Sequence, residues 1–209
     1  MNKIKQLFQH KNKDILNIYF TAGYPKLEDT VPTILELERS GVDLIEIGMP
    51  YSDPLADGPT IQESGTAALK NGMNLPHLFK EIEVARKTSD VPLILMGYFN
   101  QMMQYGDLAF LEKCAEVGVD GLILPDMPLY VYEEQYQAVF ERLNLGISFL
   151  ITPQTNAERI RKIDQLSRGF IYMVSSVAIT GAKKGISEQQ LAYFNRINSM
   201  ELNLSLIHI

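Results

Sequence analysis

Six dense apolar runs constrain this chain more than any other feature. They begin near residues 15, 43, 92, 120, 146 and 170, and helical periodicity follows each of them. Ile15 to Thr21 (ILNIYFT), Asp43 to Gly48, Pro92 to Gly97 (PLILMG), Asp120 to Leu124, Gly146 to Thr152 (GISFLIT) and Gly169 to Ser175 are continuous, without apolar–polar alternation. A strand needs that pattern when both its faces are buried, as in a parallel sheet covered by helices. The helical stretches are 3–10, 27–40, 62–70, 75–89, 108–117, 131–143, 157–166 and 187–200. Successive runs start about 24–28 residues apart, except for one gap of 49 after the second run. Ser40-Gly41-Val42-Asp43-Leu44 is echoed by Val117-Gly118-Val119-Asp120-Gly121-Leu122, and in both a helix end meets a strand start. Such regular units favour a (β/α)8 TIM-barrel type of α/β fold over a doubly wound sheet. No G-x-G-x-x-G follows the first strand, as a dinucleotide-binding fold would usually require.

A barrel of this type takes about 250 residues. The 209 residues here hold about six βα units, so the expectation is a single domain over 1–209, incomplete at its C-terminus. The closing residues NLSLIHI are strand-like and could form the start of a seventh strand. No turn or glycine loop follows them, and 201–209 are read as a tail foreign to the native chain. The formal charge of −6, with no basic cluster, argues against nucleic acid as a partner. One cysteine, Cys114, lies in a helical pattern and reads as a small buried residue of a protein from a reducing, cytoplasmic compartment. No stretch approaches the ~20 apolar residues of a membrane span, and the N-terminus lacks a signal-peptide core.

The chemistry is expected at the C-terminal ends of the strands. Glu46 is a carboxylate inside the second apolar run, and Asp57 follows in Ala56-Asp57-Gly58-Pro59. A buried charge is costly unless it is paired or used. Tyr19, Tyr98, Asp126 and Tyr172 fall at or just beyond other strand ends and should converge on the same mouth. A carboxyl walled by apolar and aromatic groups has its pKa raised and can move protons near neutrality. The alternatives are a partnered structural carboxylate for Glu46 and an Asx-type turn for Asp57. Thr180-Gly181-Ala182-Lys183-Lys184-Gly185 offers backbone N–H groups to a phosphate, or is an ordinary glycine loop. His10, His77 and His208 make no metal-ligand pattern. Met102-Met103-Gln104-Tyr105 reads as core or partner surface.

The stretch Glu46-Ile47-Gly48-Met49-Pro50-Tyr51-Ser52-Asp53-Pro54-Leu55-Ala56-Asp57-Gly58-Pro59 closely resembles the signature of the tryptophan synthase α subunit family. Tyr19 to Pro25, Met96 to Asn100, Leu124 to Leu129, and Tyr172 to Ser176 through Ile179-Thr180-Gly181 resemble further segments of that family. The resemblance covers about residues 1–200. It implies a lyase that splits indole-3-glycerol phosphate into indole and glyceraldehyde 3-phosphate. It makes Glu46 the general acid–base and Asp57 the acceptor of the indole N–H. Tyr172 would position substrate and Glu46, Thr180 would order the loop over Asp57, and Gly181 would donate to the phosphate. Tyr19 and Tyr98 would line the indole pocket. Pro50, Asp53, Asn100 and Asp126 would face a β subunit in an α2β2 assembly. No metal or organic cofactor is implied on this chain, since the pyridoxal phosphate belongs to the β partner.

The family's two further strand–loop units, which complete its phosphate site, are not found in this sequence, so low activity or stability is expected. Val177-Ala178 also replaces the family's usual small-residue-plus-glycine pair. Two other readings stand beside this one. The chain could be another phosphate-binding barrel enzyme of the tryptophan pathway, although no strand core carries a lysine. It could also be a non-catalytic partner that only activates a β-like enzyme.

Overall fold

The computed structural model describes residues 2–11, 13–55, 57–174 and 186–208. Helix α1 (Lys3–His10) precedes β1 (Asn17–Thr21), α2 (Thr30–Arg39), β2 (Leu44–Gly48), α3 (Pro59–Lys70) and α4 (Leu75–Ala85). Next come β3 (Leu93–Met96), α5 (Phe99–Tyr105), α6 (Asp107–Val117), β4 (Gly121–Ile123), α7 (Leu129–Val131) and α8 (Gln137–Leu143). The chain continues through β5 (Gly146–Ile147), β6 (Leu150–Ile151), α9 (Ala157–Leu166), β7 (Phe170–Met173), α10 (Glu188–Asn198) and β8 (Ser205–His208).

Strands β1 to β5 pair in parallel in chain order, and β6, β7 and β8 form a second parallel set. The fifth apolar run, expected as one strand, is therefore divided between two sheets. The Ser148 N–H donates to Leu122 O at 3.1 Å, toward β4, while Phe149 O accepts from Tyr172 N at 3.0 Å, toward β7. One short segment thus serves a different neighbour with each half. Spatial order follows sequence order from β1 to β8, the order of a barrel wall. Among the described residues β1 pairs only with β2, and β8 only with β7, so the wall is open between them. With β5 and β6 counted as one position, the wall has seven strand positions where six were read from the sequence. The seventh is NLSLIHI, whose Ser205–His208 lies in register with Phe170–Met173. Asp164 of α9 holds its approach, accepting from the backbone N–H of Asn203 and Leu204, each at 3.0 Å.

Strands β2, β3, β4 and β7 bury both faces, which explains their continuous apolar runs, while β1 and β8 at the open edges are half-buried. The inner face packs Leu44, Ile94, Ile123, Phe170 and Tyr172 together. The outer face, with Ile45, Ile47, Leu93, Leu95 and Ile171, meets helical residues such as Ile34, Phe79, Ile82, Phe110 and Ile163. Cys114 is fully buried in that outer layer, and burial pushes its thiol well up, as expected of a packing residue.

Helix α1 closes the floor of the wall. Asn2 caps it, accepting from Ile4 N at 3.0 Å, and also donates to Asp120 O and Asn144 O at the starts of two strands. Ile4, 1% exposed, enters a notch where side chains would collide. A Cβ on Gly121 would lie 2.7 Å from Ile4 Cδ1, and one on Gly169 would lie 2.9 Å from Ile4 Cγ2. Gly121→Ala is expected to cost about 1–3 kcal/mol through overpacking. Faster amide exchange over residues 3–10 would show that the floor helix has loosened.

Several boundaries differ from the sequence reading. Helix α3 starts at Pro59 instead of 62, with proline at a first-turn position that needs no N–H. Helix α5 was not read at all, and it splits the methionine pair: Met102 is buried and Met103 is 53% exposed. The helix expected over 131–143 begins at Leu129 and contains a π-helical stretch over Tyr132–Tyr136. There the Tyr132 ring packs edge-on against Phe140 and Phe149.

Candidate active site

Strand β2 fixes the first carboxylate. Leu44, Glu46 and Gly48 share its inner face by strand parity, and Glu46 lies in register with Tyr19 of β1 and Ile94 of β3. Glu46 is fully buried. Its Oε1 accepts from Asn17 Nδ2 at 2.5 Å, and its Oε2 accepts from the Tyr172 hydroxyl at 3.3 Å. Burial raises the pKa of Glu46, while the bonds from Asn17 and Tyr172 act the other way. The Tyr172 hydroxyl is pushed far up by burial and by the neighbouring Glu46 charge, so it stays a donor.

Tyr19 occupies the same chamber. Its ring crosses Gly48 so closely that a Cβ there would lie 2.0 Å from the hydroxyl oxygen. Burial raises the Tyr19 pKa, and the charges of Asp57 and Glu46 add to the rise. Tyr19 thus feels both carboxylates at once.

Asp57 comes from the loop between β2 and α3. The loop's backbone makes its own turn, with Asp57 N donating to Pro54 O at 3.1 Å. Gln62 Nε2 ties Asp57 O at 2.9 Å. The carboxylate is therefore not spent on the turn. Its Oδ2 accepts from the Tyr98 hydroxyl at 3.3 Å, and burial raises its pKa against that bond. The Tyr98 ring lies 4.8 Å from Tyr51, centroid to centroid, tilted by 30°. The Asx-turn alternative for Asp57 is not what the geometry gives.

Three of the residues expected to face a partner, Pro50, Asn100 and Asp126, gather around α5. Gln101 Nε2 donates to Pro50 O at 2.9 Å, and Asn100 Nδ2 to the Tyr51 hydroxyl at 2.7 Å. Asp53 is exposed and accepts from the Ser52 hydroxyl at 2.5 Å. Asp126 was expected at the mouth with the tyrosines. It does follow β4, but its carboxylate caps α5, accepting from Phe99 N at 2.8 Å. Thr180 and Gly181 lie outside the described residues.

Glu46, Asp57, Tyr19, Tyr98 and Tyr172 therefore meet as the sequence predicted. Asn17 was missed because it sits inside an apolar run. The available signal was parity, since Asn17, Tyr19 and Thr21 share one strand face. Among the described residues no three His, Cys, Asp or Glu side chains are grouped to hold a metal. No helix among them is long and apolar enough to cross a membrane. What remains is two carboxyls in different settings, Glu46 enclosed and Asp57 half-buried at the loop edge, suited to separate acid–base and electrostatic tasks.

A family model described as tryptophan synthase alpha chain matches residues 5–204. The tryptophan synthase alpha chain of Flavobacterium johnsoniae is 57% identical over 202 residues, covering 97% of this chain and 79% of the relative. That of Christiangramia forsetii is 56% identical over 202 residues, covering 97% and 78%. Among solved structures, tryptophan synthase subunit alpha from Legionella pneumophila superposes with a TM-score of 0.87 at 32% identity, over 100% of this chain and 78% of the other. A chain of the Pyrococcus furiosus tryptophan synthase a2b2 complex gives 0.85 at 33% identity, over 93% and 77%. With its parallel wall, its buried glutamate and these relatives, the chain belongs to the tryptophan synthase alpha chain family.

Proposed function

We propose that this chain is a carbon–carbon lyase of tryptophan biosynthesis, cleaving indole-3-glycerol phosphate to indole and glyceraldehyde 3-phosphate. The observation that carries the reading is the enclosed Glu46, bonded at both oxygens and with its pKa raised by burial. A raised pKa favours the protonated carboxylic acid that a general acid needs. Glu46 gives its proton to C3 of the indole ring, leaving positive charge on the ring nitrogen. The bond from C3 to the glycerol carbon then breaks, and its electron pair returns to the ring. The hydroxyl on that glycerol carbon becomes an aldehyde, and its proton returns to Glu46. Proton and electron counts close, and Glu46 ends as it began. Asp57 accepts the indole N–H and stabilises the charge that develops there, as fixed charges do in a water-poor site.

Tyr19 and Tyr98 line the indole pocket, and Tyr172 orients Glu46. Thr180 and Gly181 are assigned to loop ordering and the phosphate by the family motif. Pro50, Asp53, Asn100 and Asp126 belong to the face that meets a β subunit in an α2β2 assembly. Pyridoxal phosphate is assigned to that partner, and the location to the cytoplasm. The grouping of Pro50, Asn100 and Asp126 around one short helix supports a single docking surface.

The direct test is indole release from indole-3-glycerol phosphate, with and without a tryptophan synthase beta chain. Indole is expected in both cases, and faster with the partner. No indole in either case would overturn the lyase reading. Stimulation of the beta chain without any cleavage would make the chain an activator only. Asp57→Asn keeps the shape and removes the charge. It is expected to lower kcat by about a hundredfold, the scale of losing one fixed electrostatic partner of the transition state.

A further inference from the structure

We propose that Asn17 is the positioning residue of Glu46, holding Oε1 so that proton exchange with substrate runs through Oε2. This inference rests on the lyase reading of Glu46. Asn17 opens β1, two residues before Tyr19, and its side chain lies on the same inner face. Its Nδ2 donates to Glu46 Oε1 at 2.5 Å, whereas the Tyr172 hydroxyl reaches Oε2 at 3.3 Å. The two oxygens of Glu46 are therefore unequal. Oε1 faces a close amide N–H, so a proton placed on Oε1 would meet a donor. Oε2 carries the longer bond, and a protonated Oε2 can still accept from Tyr172 while its own O–H points at substrate.

The other end of the amide supports the assignment. Asn17 Oδ1 is buried and has no hydrogen-bond partner. Leaving such an acceptor unpaired is unfavourable. The side chain thus carries an unsatisfied oxygen in order to present its nitrogen to Glu46. Leu44 and Ile94, the nearest inner-face residues of β2 and β3 by register, are apolar. Among the described residues the titratable groups facing Glu46 are Tyr19 from β1 and Tyr172 from β7, with Asp57 acting on Tyr19 from the loop. Both tyrosines are held neutral, so the amide is the neighbour that distinguishes the two oxygens of Glu46.

Removing the amide takes a donor from the ionised form, so the Glu46 pKa should rise further. Asn17→Leu keeps volume without the amide. Two readings are made on wild type and variant. One is the pH profile of indole-3-glycerol phosphate cleavage. The other is the infrared carboxyl band of 13C-labelled protein, assigned to Glu46 by its loss in Glu46→Gln and titrated without substrate. The variant is expected to lose about tenfold in kcat with KM within about threefold. The alkaline limb and the carboxyl midpoint should both move up by about one pH unit. If Asn17→Leu does not fold, Asn17→Ala removes the amide without adding bulk and carries the same expectations. An unmoved carboxyl midpoint, or a loss confined to KM, overturns the inference. Failure of wild type to cleave the substrate strikes the lyase reading instead, and the substrate-free carboxyl titration still separates the two.

Discussion

Glu46→Gln is expected to lower kcat for indole-3-glycerol phosphate cleavage by about a thousandfold or more, with substrate affinity changed by less than about threefold. The amide matches the carboxyl in shape and keeps contact with Asn17 and Tyr172, but it cannot give or take the proton. Binding by isothermal titration and single-turnover indole release separate the two effects. A variant within tenfold of wild type would remove Glu46 from the proton path. The pH dependence follows from the same site. Because burial raises the Glu46 pKa and the starting form is the acid, wild-type turnover should fall as pH rises through that raised value. Stability should follow the same sign. A carboxyl whose folded pKa is raised above its unfolded value stabilises the fold at low pH, and the contribution is lost as pH rises through the folded pKa. Glu46→Gln removes that loss. The variant should therefore melt above wild type at alkaline pH, and the difference should shrink on acidification.

Arg86→Met is expected to cost about 3–5 kcal/mol of stability, the usual result of stranding one member of a buried ion pair. Arg86 Nη2 meets Asp120 Oδ2 at 2.6 Å, with the two side chains 11% and 10% exposed. Its Nε donates to Gly118 O at 2.9 Å and its Nη1 to Val91 O at 2.6 Å, while Asp120 Oδ2 also accepts from Leu93 N at 3.0 Å. One guanidinium thus ties the end of α4 to the starts of β3 and β4. Burial lowers the Arg86 pKa and raises that of Asp120 despite their contact, so desolvation outweighs their attraction. Adding Asp120→Leu to Arg86→Met should recover part of the loss, but not all, because Leu93 N would then lose its acceptor. The pair lies at the strand starts, opposite the chemistry, so kcat of the folded variant should stay within about twofold of wild type. Urea midpoints for both single variants and the double variant provide the check.

The strands were legible because helices cover one face and the chamber occupies the other, which left their sequences apolar throughout. The long helices were legible through their periodicity. Helix α5 was not, because its seven residues are organised by contacts from elsewhere: the Asp126 cap and the bonds of Gln101 to Pro50 and Tyr98. The division of the fifth run was also invisible, since a change of hydrogen-bond neighbour leaves no mark on composition. At the site, Glu46 stood out as a charge inside an apolar run, and Asp57 through the family motif. Tyr172 and Tyr98 stood out at strand ends, whereas Asn17, inside an apolar run, did not. Asn17 is 29 residues from Glu46 in the chain, and Tyr98 is 41 from Asp57, so only the folded wall brings each donor to its acceptor.

The notch that receives Ile4 also bears on traffic. With Ile4 set among strand-start glycines, and with the Phe8 ring 5.7 Å from that of Phe170, hydrocarbon packs against the inner face at the strand starts. The Asp57–Tyr98 contact of the site lies at the other end, where Pro50, Tyr51 and Asn100 gather. A partner seated there would stand beside the site's own tyrosines and meet a product as it leaves.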